Sequence, residues 1–373
     1  MSAPIYLDYQ ATTPMAPEAI AAMEPWLRDG FGNPHSPHRM GRAARAAVEV
    51  ARDAIVTALG LTGGRLVFTG GATEAINLAL KGVAFAAPRD RRRIVTIATE
   101  HAAVLDSVEW LGRQGFDVTL LGVDAAGLVD LDAARALIDE RTAIVAAMLV
   151  NNEIGVIQPV AELAALAKAA GAVFLCDAVQ GFGRIDVPDA DLVALSAHKI
   201  HGPKGVGALW VRDGVAIEPV MHGGGQEGGL RSGTLSPALC AGFGAAARLA
   251  AERRDEDHAH VEALWSAARA RLAGWTLNGD ALLRYHGNIN VRLAGVDAAR
   301  LISEVRGVAF SAGSACASGS GRPSHVLKAI GLDDRAARES IRLGFGRYTS
   351  EAELAEALGL IVAAAERQLR VMA

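Results

Sequence analysis

Residues 173–199 read VFLCDAVQGFGRIDVPDADLVALSAHK. The segment contains two short apolar runs, Val173–Cys176 and Leu192–Leu195, and each run is followed directly by polar residues. Neither run alternates apolar with polar residues, which is typical of strands that are covered on both faces of a parallel sheet. Similar runs, separated by helix-like segments, extend from about residue 65 to residue 211. They predict an α/β fold with a largely parallel sheet.

The pattern changes beyond residue 236. A helix-like stretch runs to about Arg254, and the remaining segments mix fewer strands and helices. Ser350 and Glu353 have the spacing of a capping box, which predicts the start of a last helix. We predict a second, smaller α+β domain that carries a cysteine-containing loop. The large domain is expected at residues 15–255, and the small domain at residues 1–14 and 256–373.

The composition excludes several classes of protein. The 373 residues carry a formal net charge of -4, which gives no reason to expect a nucleic acid as partner. The apolar stretches end well before the roughly 20 residues needed to cross a membrane, and residues 1–8 lack a signal-peptide pattern. Three cysteines without a C-x-x-C pair form no disulfide framework, and the histidine pairs lack further metal ligands. We expect a cytoplasmic protein without a membrane or metal site.

Three signals follow strand-like runs. The turn Gly70–Thr73 exposes backbone N–H groups before a helix-like segment, which favours an anion such as a phosphate. Lys199 lies in the turn after one run, where desolvation would make its amine a nucleophile toward a carbonyl. Asp177 follows the neighbouring run, where a carboxylate can keep a pyridine nitrogen protonated. Each signal alone has a simpler explanation: a plain turn, a surface lysine or a turn-capping carboxylate. Together they are the protein groups that a pyridoxal 5'-phosphate (PLP) site requires.

Two residues outside this region suggest further chemistry. Cys316 lies within 311–321, a segment dense in glycine and serine, which predicts an exposed flexible loop. Free cysteines are normally buried, so we interpret Cys316 as a reactive thiol rather than an incidental one. Cys176 and Cys240 lie in a strand-like and a helix-like run, and we expect them to be structural. Arg342 can bind a carboxylate through two parallel hydrogen bonds or form a salt bridge between domains.

Seven motifs occur together in the order typical of one known family. They are YLDYQATTP at residues 6–14, GATE at 71–74, TEH at 99–101, VNNEIG at 150–155, SAHK at 196–199, RSGT at 231–234 and SAC at 314–316. With these motifs the chain resembles the NifS/IscS-like cysteine desulfurases, class V members of the fold-type I PLP enzymes. The resemblance extends from about residue 5 to residue 350. It implies a mostly parallel seven-stranded sheet between helices, with a smaller α+β domain.

The resemblance implies a role for each residue of the cofactor site. Lys199 is similar to the lysine that binds PLP covalently, and His101 to the imidazole that stacks on the ring and can move protons. Asp177 matches the partner of the pyridine nitrogen, and Gln180 the contact to the ring hydroxyl. Thr234 resembles a phosphate contact from the other subunit, which implies a homodimer. The remaining phosphate ligands would be Ala72, Thr73, Ser196 and His198.

The resemblance also implies a substrate and a reaction. Asn152 and Arg342 resemble the clamp on the substrate carboxylate, and Asn33 is also assigned to substrate binding. Cys316 resembles the nucleophile that accepts sulfur, and it is a possible transient ligand of an iron–sulfur cluster. The implied reaction converts L-cysteine to L-alanine and leaves the sulfur on Cys316 as a persulfide. The persulfide would then be delivered to an acceptor such as an iron–sulfur scaffold protein.

Three alternatives remain open at this point. A selenocysteine lyase would use the same pocket, and Cys316 favours sulfur without excluding selenium. Another class V enzyme, such as an aminotransferase, would not need a thiol in a Gly/Ser-rich loop. A non-catalytic sulfur-carrier scaffold would need neither Lys199 nor Asp177. One position departs from the family pattern: Gly228 stands where many relatives carry arginine, which removes a charge near the expected subunit interface.

Overall fold

The structure is a computed structural model that describes residues 3–312 and 323–372. Its strands within these ranges are β1 Ile5–Tyr6, β2 Gly64–Thr69, β3 Arg93–Ile97, β4 Asp117–Leu121, β5 Thr142–Met148, β6 Val173–Asp177, β7 Leu192–Ser196, β8 Gly207–Arg212, β9 Thr276–Leu277, β10 Asn288–Arg292, β11 Val308–Ala309 and β12 Ser340–Gly344.

Helices connect these strands and cover them. In chain order they are α1 Pro17–Arg28, α2 Arg39–Leu59, α3 Ala72–Ala86, α4 Ala102–Arg113, α5 Leu131–Leu137, α6 Val160–Ala169, α7 Pro237–Glu252, α8 Arg254–Arg271, α9 Ala298–Glu304, α10 His325–Ala329, α11 Asp334–Arg338 and α12 Glu351–Met372. Two single 3-10 turns complete the set, at Ala197–Lys199 and Glu227–Gly229.

The central sheet has seven strands in the order β2-β8-β7-β6-β5-β3-β4. Strand β8 runs antiparallel to both of its neighbours, and all other neighbouring pairs are parallel. The prediction of a mostly parallel seven-stranded sheet is therefore confirmed. Because β5, β6 and β7 are parallel neighbours, their carboxyl ends meet at one edge, where ligands of such sheets bind.

Both faces of this sheet are buried, as the absence of alternation in the sequence predicts. Along β5, Ile144 and Ala146 pack into the cluster formed with α3 and α4. Val145 and Ala147 point to the opposite face and pack with residues of α2 and α7. Successive side chains of a strand point to opposite faces, so a strand between two helix layers is apolar at every position.

A separate hydrophobic cluster lies outside the sheet. It joins Leu7 of the N-terminal segment to Leu264 of α8, Ile289 of β10 and Leu358 of α12. Two small sheets accompany it, β12-β10-β9 and the parallel pair β1-β11. The division into domains at residues 14/15 and 255/256 stays a prediction.

The capping box that the sequence predicts is present at the start of α12. Ser350 and Glu353 form the expected capping box: the Glu353 N–H donates to Ser350 Oγ at 3.2 Å, and the Ser350 N–H donates to Glu353 Oε2 at 2.9 Å. The polar residues 255–258 lie in the first turn of α8, which begins at Arg254, two residues after the end of α7. Among the described residues, no helix is both long and apolar enough to span a bilayer.

Gly207 offers a test of how tightly β8 packs against the turn before α3. A Cβ atom at this position would lie 2.5 Å from the Leu195 carbonyl oxygen and 2.7 Å from the Gly71 carbonyl carbon. Both are backbone atoms that cannot rotate away. We expect Gly207→Ala to lower the free energy of unfolding by about 1–3 kcal/mol, measured by urea denaturation. The control is Gly122→Ala, whose Cβ would meet no atom within 4 Å. Equal stability of the two variants would contradict the packing argument.

Candidate active site

A cavity of about 790 Å³ opens at the carboxyl edge of the central sheet. It lies between the ends of β5, β6 and β7 and the first turns of α3 and α4. Most of the sequence-predicted site residues line it together. They are Ala72, Thr73, His101, Asn152, Asp177, Gln180, Ser196, His198, Lys199 and Arg342.

Lys199 reaches this cavity from the 3-10 turn that follows β7. Its Nζ donates hydrogen bonds to the carbonyl oxygens of Gln10 at 2.6 Å and Ala11 at 2.8 Å. Burial lowers the pKa of Lys199 to about 8, and the positive charges of Arg184 and Arg342 act in the same direction. A substantial fraction of the amine is therefore neutral near physiological pH, which is the state that attacks a carbonyl carbon.

Asp177 is the last residue of β6 and faces the same cavity. Its Oδ1 accepts a hydrogen bond from the Val179 N–H at 3.0 Å. Burial raises the pKa of Asp177, opposed by that hydrogen bond and by the nearby charges of His101 and Lys199. Within the described residues Asp177 has no ion-pair partner within 4 Å, although it is only 6% exposed. Such a carboxyl group suits a ligand that brings its own proton-bearing nitrogen.

His101 caps the N-terminus of α4 and lines the cavity with its ring. Its Nδ1 accepts a hydrogen bond from the Ala103 N–H at 3.1 Å. A neutral imidazole that accepts at Nδ1 carries its proton on Nε2. The cap therefore fixes both the orientation and the tautomer of the ring.

The N-terminus of α3 forms an anion site at the other end of the cavity. Gly71 precedes the helix with φ 152° and ψ 175°, a backbone conformation that residues other than glycine rarely adopt. No described side chain caps this helix, so the N–H groups of its first turn, at Ala72 and Thr73, face the cavity. Gly207 packs against Gly71 so closely that no side chain can fill the space. This cradle fits a phosphate group.

Ser196 and His198 border the same anion site. Burial lowers the pKa of His198 to about 4, and Lys199 and Lys204 reinforce the effect. His198 is therefore neutral at pH 7. Its Nδ1 lies 3.1 Å from Thr12 Oγ1. A neutral ring can offer a phosphate an N–H donor but no full charge. The cationic residue of this wall is Lys204, which sequence reasoning did not single out.

Arg342 lies on β12, lines the cavity and is 1% exposed. Its Nη2 donates to Asp8 Oδ1 at 2.7 Å, and its Nη1 donates to the Asn152 carbonyl oxygen at 3.0 Å. The Nε atom is buried and has no partner in the described structure. Both interpretations of Arg342 thus have a basis: it forms an internal salt bridge, and it retains donors for a carboxylate.

Two predicted residues of the described chain do not line the cavity. Asn33 and Thr234 are exposed and lie outside it. Cys316 lies outside the described residues. The other two cysteines are buried, and burial raises the pKa of both, that of Cys240 to about 12. Neither thiol is available as a thiolate at neutral pH.

Glu100 is a buried acid beside the site that sequence reasoning missed. Its side chain is fully buried, and Oε1 accepts a hydrogen bond from the Met148 N–H at 2.6 Å. Burial, together with the nearby charge of Asp177, raises the pKa of Glu100 well above its ordinary value. Glu100 is thus shifted toward its protonated form, and Asp177, which lines the cavity, is the acidic group that a cationic ligand there would meet. Its position in the TEH motif, next to His101, was the available signal.

Comparisons with known proteins agree on one family. The sequence profile of the family described as Aminotransferase class-V matches residues 5–356. The chain is 43% identical to the cysteine desulfurase IscS of Rickettsia bellii, over 96% of this chain and 90% of that protein. A solved NifS-like protein superposes with a TM-score of 0.90 at 34% identity, covering 96% and 98% of the two chains. SspA, solved in complex with cysteine, superposes with a TM-score of 0.82 at 35% identity, covering 92% and 99%.

The pKa of Lys199 predicts how the cofactor-free protein takes up PLP. Because the pKa is lowered to about 8, the nucleophilic amine is fully present above that pH and disappears as the pH falls through it. We expect the rate of PLP uptake, followed by visible absorbance, to rise with pH and to level off above about 8. An ordinary lysine would still gain reactivity up to a pH of about 10. Lys199→Ala should show no covalent uptake at any pH, and a rate that continues to rise would contradict the buried amine.

Proposed function

The chain belongs to the class-V aminotransferase family, and we propose that its cavity carries out the PLP-dependent desulfuration of L-cysteine. The products are L-alanine and a persulfide on Cys316. One observation carries the assignment: Lys199, Asp177 and the anion site before α3 line one cavity in a chain 43% identical to a cysteine desulfurase over nearly its full length. PLP is therefore the cofactor, and the chain is an enzyme.

The residues present fit PLP at both ends of the cavity. The cradle of Gly71, Ala72 and Thr73 suits its phosphate, with Ser196 and His198 beside it. At the opposite end, the unpaired and buried Asp177 suits a protonated pyridine nitrogen. When bound, PLP supplies an electron sink that stabilises the charge left on the substrate carbon after its proton is removed.

The residues of the chain supply binding and proton transfer. Arg342 and Asn152 are proposed to bind the substrate carboxylate, since Arg342 is buried and its Nε has no partner in the described structure. Lys199 is proposed to move the proton at the α-carbon, because its depressed pKa leaves part of the amine free to accept one. His101 carries its proton on Nε2 when neutral and can shuttle a proton near the leaving sulfur.

Cys316 is proposed to accept the sulfur. Its thiolate attacks the substrate sulfur atom, the carbon–sulfur bond breaks, and the electron pair of that bond stays with the carbon skeleton until a proton converts it to alanine. Two described residues on either side of the Cys316 segment contact the surroundings of the cavity: Ser311 pairs with the cavity-lining Arg342 through backbone hydrogen bonds, and Ser324 Oγ donates to Glu153 Oε2, next to the cavity-lining Asn152. The sulfur acceptor is a protein that attacks this persulfide, and an iron–sulfur scaffold is our proposal for it.

Subunit assembly and location are part of the same proposal. Thr234 is exposed and lies outside the cavity of its own chain, which supports a contact with a second copy and hence a homodimer. Asn33 is exposed as well, and substrate binding by it would need another part of the assembly. We place the protein in the cytoplasm, where Cys176 and Cys240 stay reduced and a reactive Cys316 is protected from oxidation.

Replacing Cys316 separates cofactor binding from sulfur transfer. We expect Cys316→Ala to keep the visible PLP band and its change on addition of L-cysteine, but to lose sulfide and alanine production under reductant. The loss follows because no other described thiol is exposed. Sulfide and alanine are measured in the same tube and should appear in equal amounts for the wild type.

The matched control is Cys240→Ala, which removes a buried thiol from α7. It should retain sulfide production. Full activity of Cys316→Ala would contradict the assignment of the nucleophile. A wild-type protein that binds PLP and releases no sulfide would point to another amino acid on the same fold, with selenocysteine as the first to test.

Arg342→Lys tests the carboxylate clamp. Lysine keeps the positive charge but has no forked set of donors. It therefore cannot bind the substrate carboxylate while it also donates to the Asn152 carbonyl oxygen. We expect KM for L-cysteine to rise roughly tenfold to hundredfold, the range for a lost charge-assisted hydrogen bond. Arg300→Lys, at an exposed ion pair of α9, is the control and should leave KM unchanged. An unaltered KM in Arg342→Lys would mean that the carboxylate binds elsewhere.

A further inference from the structure

Behind the cavity, four residues are joined in a closed ring of hydrogen bonds. Arg184 Nη1 donates to Gln180 Oε1 at 2.7 Å, and its Nη2 donates to the Lys199 carbonyl oxygen at 2.8 Å. Gln180 Nε2 donates to the Gln10 carbonyl oxygen at 2.9 Å. The same carbonyl accepts the hydrogen bond from Lys199 Nζ. Arg184 does not line the cavity, yet it contacts two residues that do.

The chemistry of the guanidinium group decides how Gln180 is oriented. A guanidinium has only donors, so the side-chain amide of Gln180 must turn its oxygen toward Arg184. Its NH₂ group then points to the Gln10 carbonyl and to the cavity. Gln180 can therefore offer a bound ligand a donor and no acceptor. A second bond, from Arg184 Nη1 to the Gln180 carbonyl oxygen at 3.0 Å, fixes the backbone of the same residue.

Arg184 is itself held in place. Its guanidinium carbon lies 5.0 Å from the ring centroid of Tyr285, and the side chain is half-buried. The planar group bridges the turn after β6 and the turn after β7, the two turns that carry Gln180 and Lys199. A lysine at this position could not span both with fixed geometry, because its three donors share a single nitrogen.

We propose that Arg184 is a positioning residue for the cofactor site: it orients the amide of Gln180 with its donor toward the cavity and fixes the backbone of Lys199. The inference rests on the roles proposed for Lys199 and Gln180. It adds a residue that touches neither substrate nor cofactor and acts through both of these side chains.

The charge of Arg184 adds an electrostatic effect on the Lys199 nitrogen. The charged groups that face this nitrogen come from four places in the fold, and two of them oppose protonation while two favour it. Arg184 and Arg342 lower the pKa of Lys199, after burial, and Asp8 and Asp177 raise it. Removing Arg184 therefore shifts the balance toward the protonated amine. Loss of the Gln180 donor acts in the same direction, because that donor stabilises the anionic oxygen of a ring hydroxyl.

The test uses the holoenzyme and two variants, Arg184→Met and Arg184→Lys. The first readout is the pH midpoint of the visible absorbance without cysteine, which reports the proton on the Lys199 nitrogen. The second is the separation of kcat from KM for L-cysteine. The control is Arg254→Met. This variant removes an arginine that lies on the same side of the fold and pairs with Asp186. Thermal unfolding of each variant shows whether it is folded.

For Arg184→Met we expect the midpoint to rise and kcat to fall roughly tenfold, with KM nearly unchanged, since Arg342 and Asn152 are untouched. Arg184→Lys should show a smaller rise of the midpoint and a kcat still well below the wild-type value. Arg254→Met should match the wild type. If Arg184→Met does not fold, Arg184→Gln, which keeps one donor and loses the charge, replaces it with the same expectations.

Two results would overturn the proposal. An unchanged midpoint in a folded Arg184→Met variant would show that Arg184 supports stability alone. A wild-type kcat in Arg184→Lys would show that the forked geometry is not needed. The absorbance midpoint does not depend on the reaction being a desulfuration, whereas the kcat comparison does. A wild type that binds PLP but releases no sulfide would refute the proposed function, while the absorbance midpoints would still test Arg184.

Discussion

The parallel pairing of β6 with β7 is the constraint on which the cavity depends. It places Asp177 opposite Ala194, two residues before Ser196, so that the two strands end at the same edge of the sheet. Lys199 follows within one 3-10 turn, and its amine is buried at this edge, which lowers its pKa. An antiparallel β7 would put Lys199 at the opposite edge, away from Asp177. Strand β8 is antiparallel, and it contributes a tightly packed glycine to this edge rather than an ionisable group.

A second layer of contacts joins this edge to the other hydrophobic cluster. The loop of Asn151–Gly155 is held from several sides: Arg342 and Asn288 donate to the Asn152 carbonyl oxygen, and Arg284 donates to that of Ile154. The residue that is proposed to bind the substrate carboxylate is therefore also part of the joint between two regions of the chain. A carboxylate that binds to Arg342 would change its hydrogen bonds to both Asn152 and Asp8, because Arg342 donates to both residues.

The sequence predicts the parts of this arrangement that depend on local pattern. The apolar runs after residue 65, the glycine turn before α3 and the capping box at Ser350 follow from composition and spacing, and the structure has all of them. No prediction covers α2, although its buried residues recur every three or four positions, because several of them are small. The contact of Arg342 with Asp8 joins residues 334 positions apart, and no spacing rule indicates it. Arg184 and Glu100 depend in the same way on which strands become neighbours.

Burial acts on the ionisable groups of the cavity in one consistent way. It lowers the pKa of Lys199 and His198 and raises that of Asp177 and Glu100, so each of the four is shifted toward its neutral form. The shifts have one physical cause, because an unpaired charge in a desolvated place costs several kcal/mol. A ligand that carries a phosphate at one end and a protonated nitrogen at the other supplies the charges that these groups lack. The helix dipole of α3 then faces the negative end, and Asp177 faces the positive one. The electrostatics of the cavity thus favour a ligand that carries a negative and a positive group at separate positions, as PLP does with its phosphate and its protonated pyridine nitrogen.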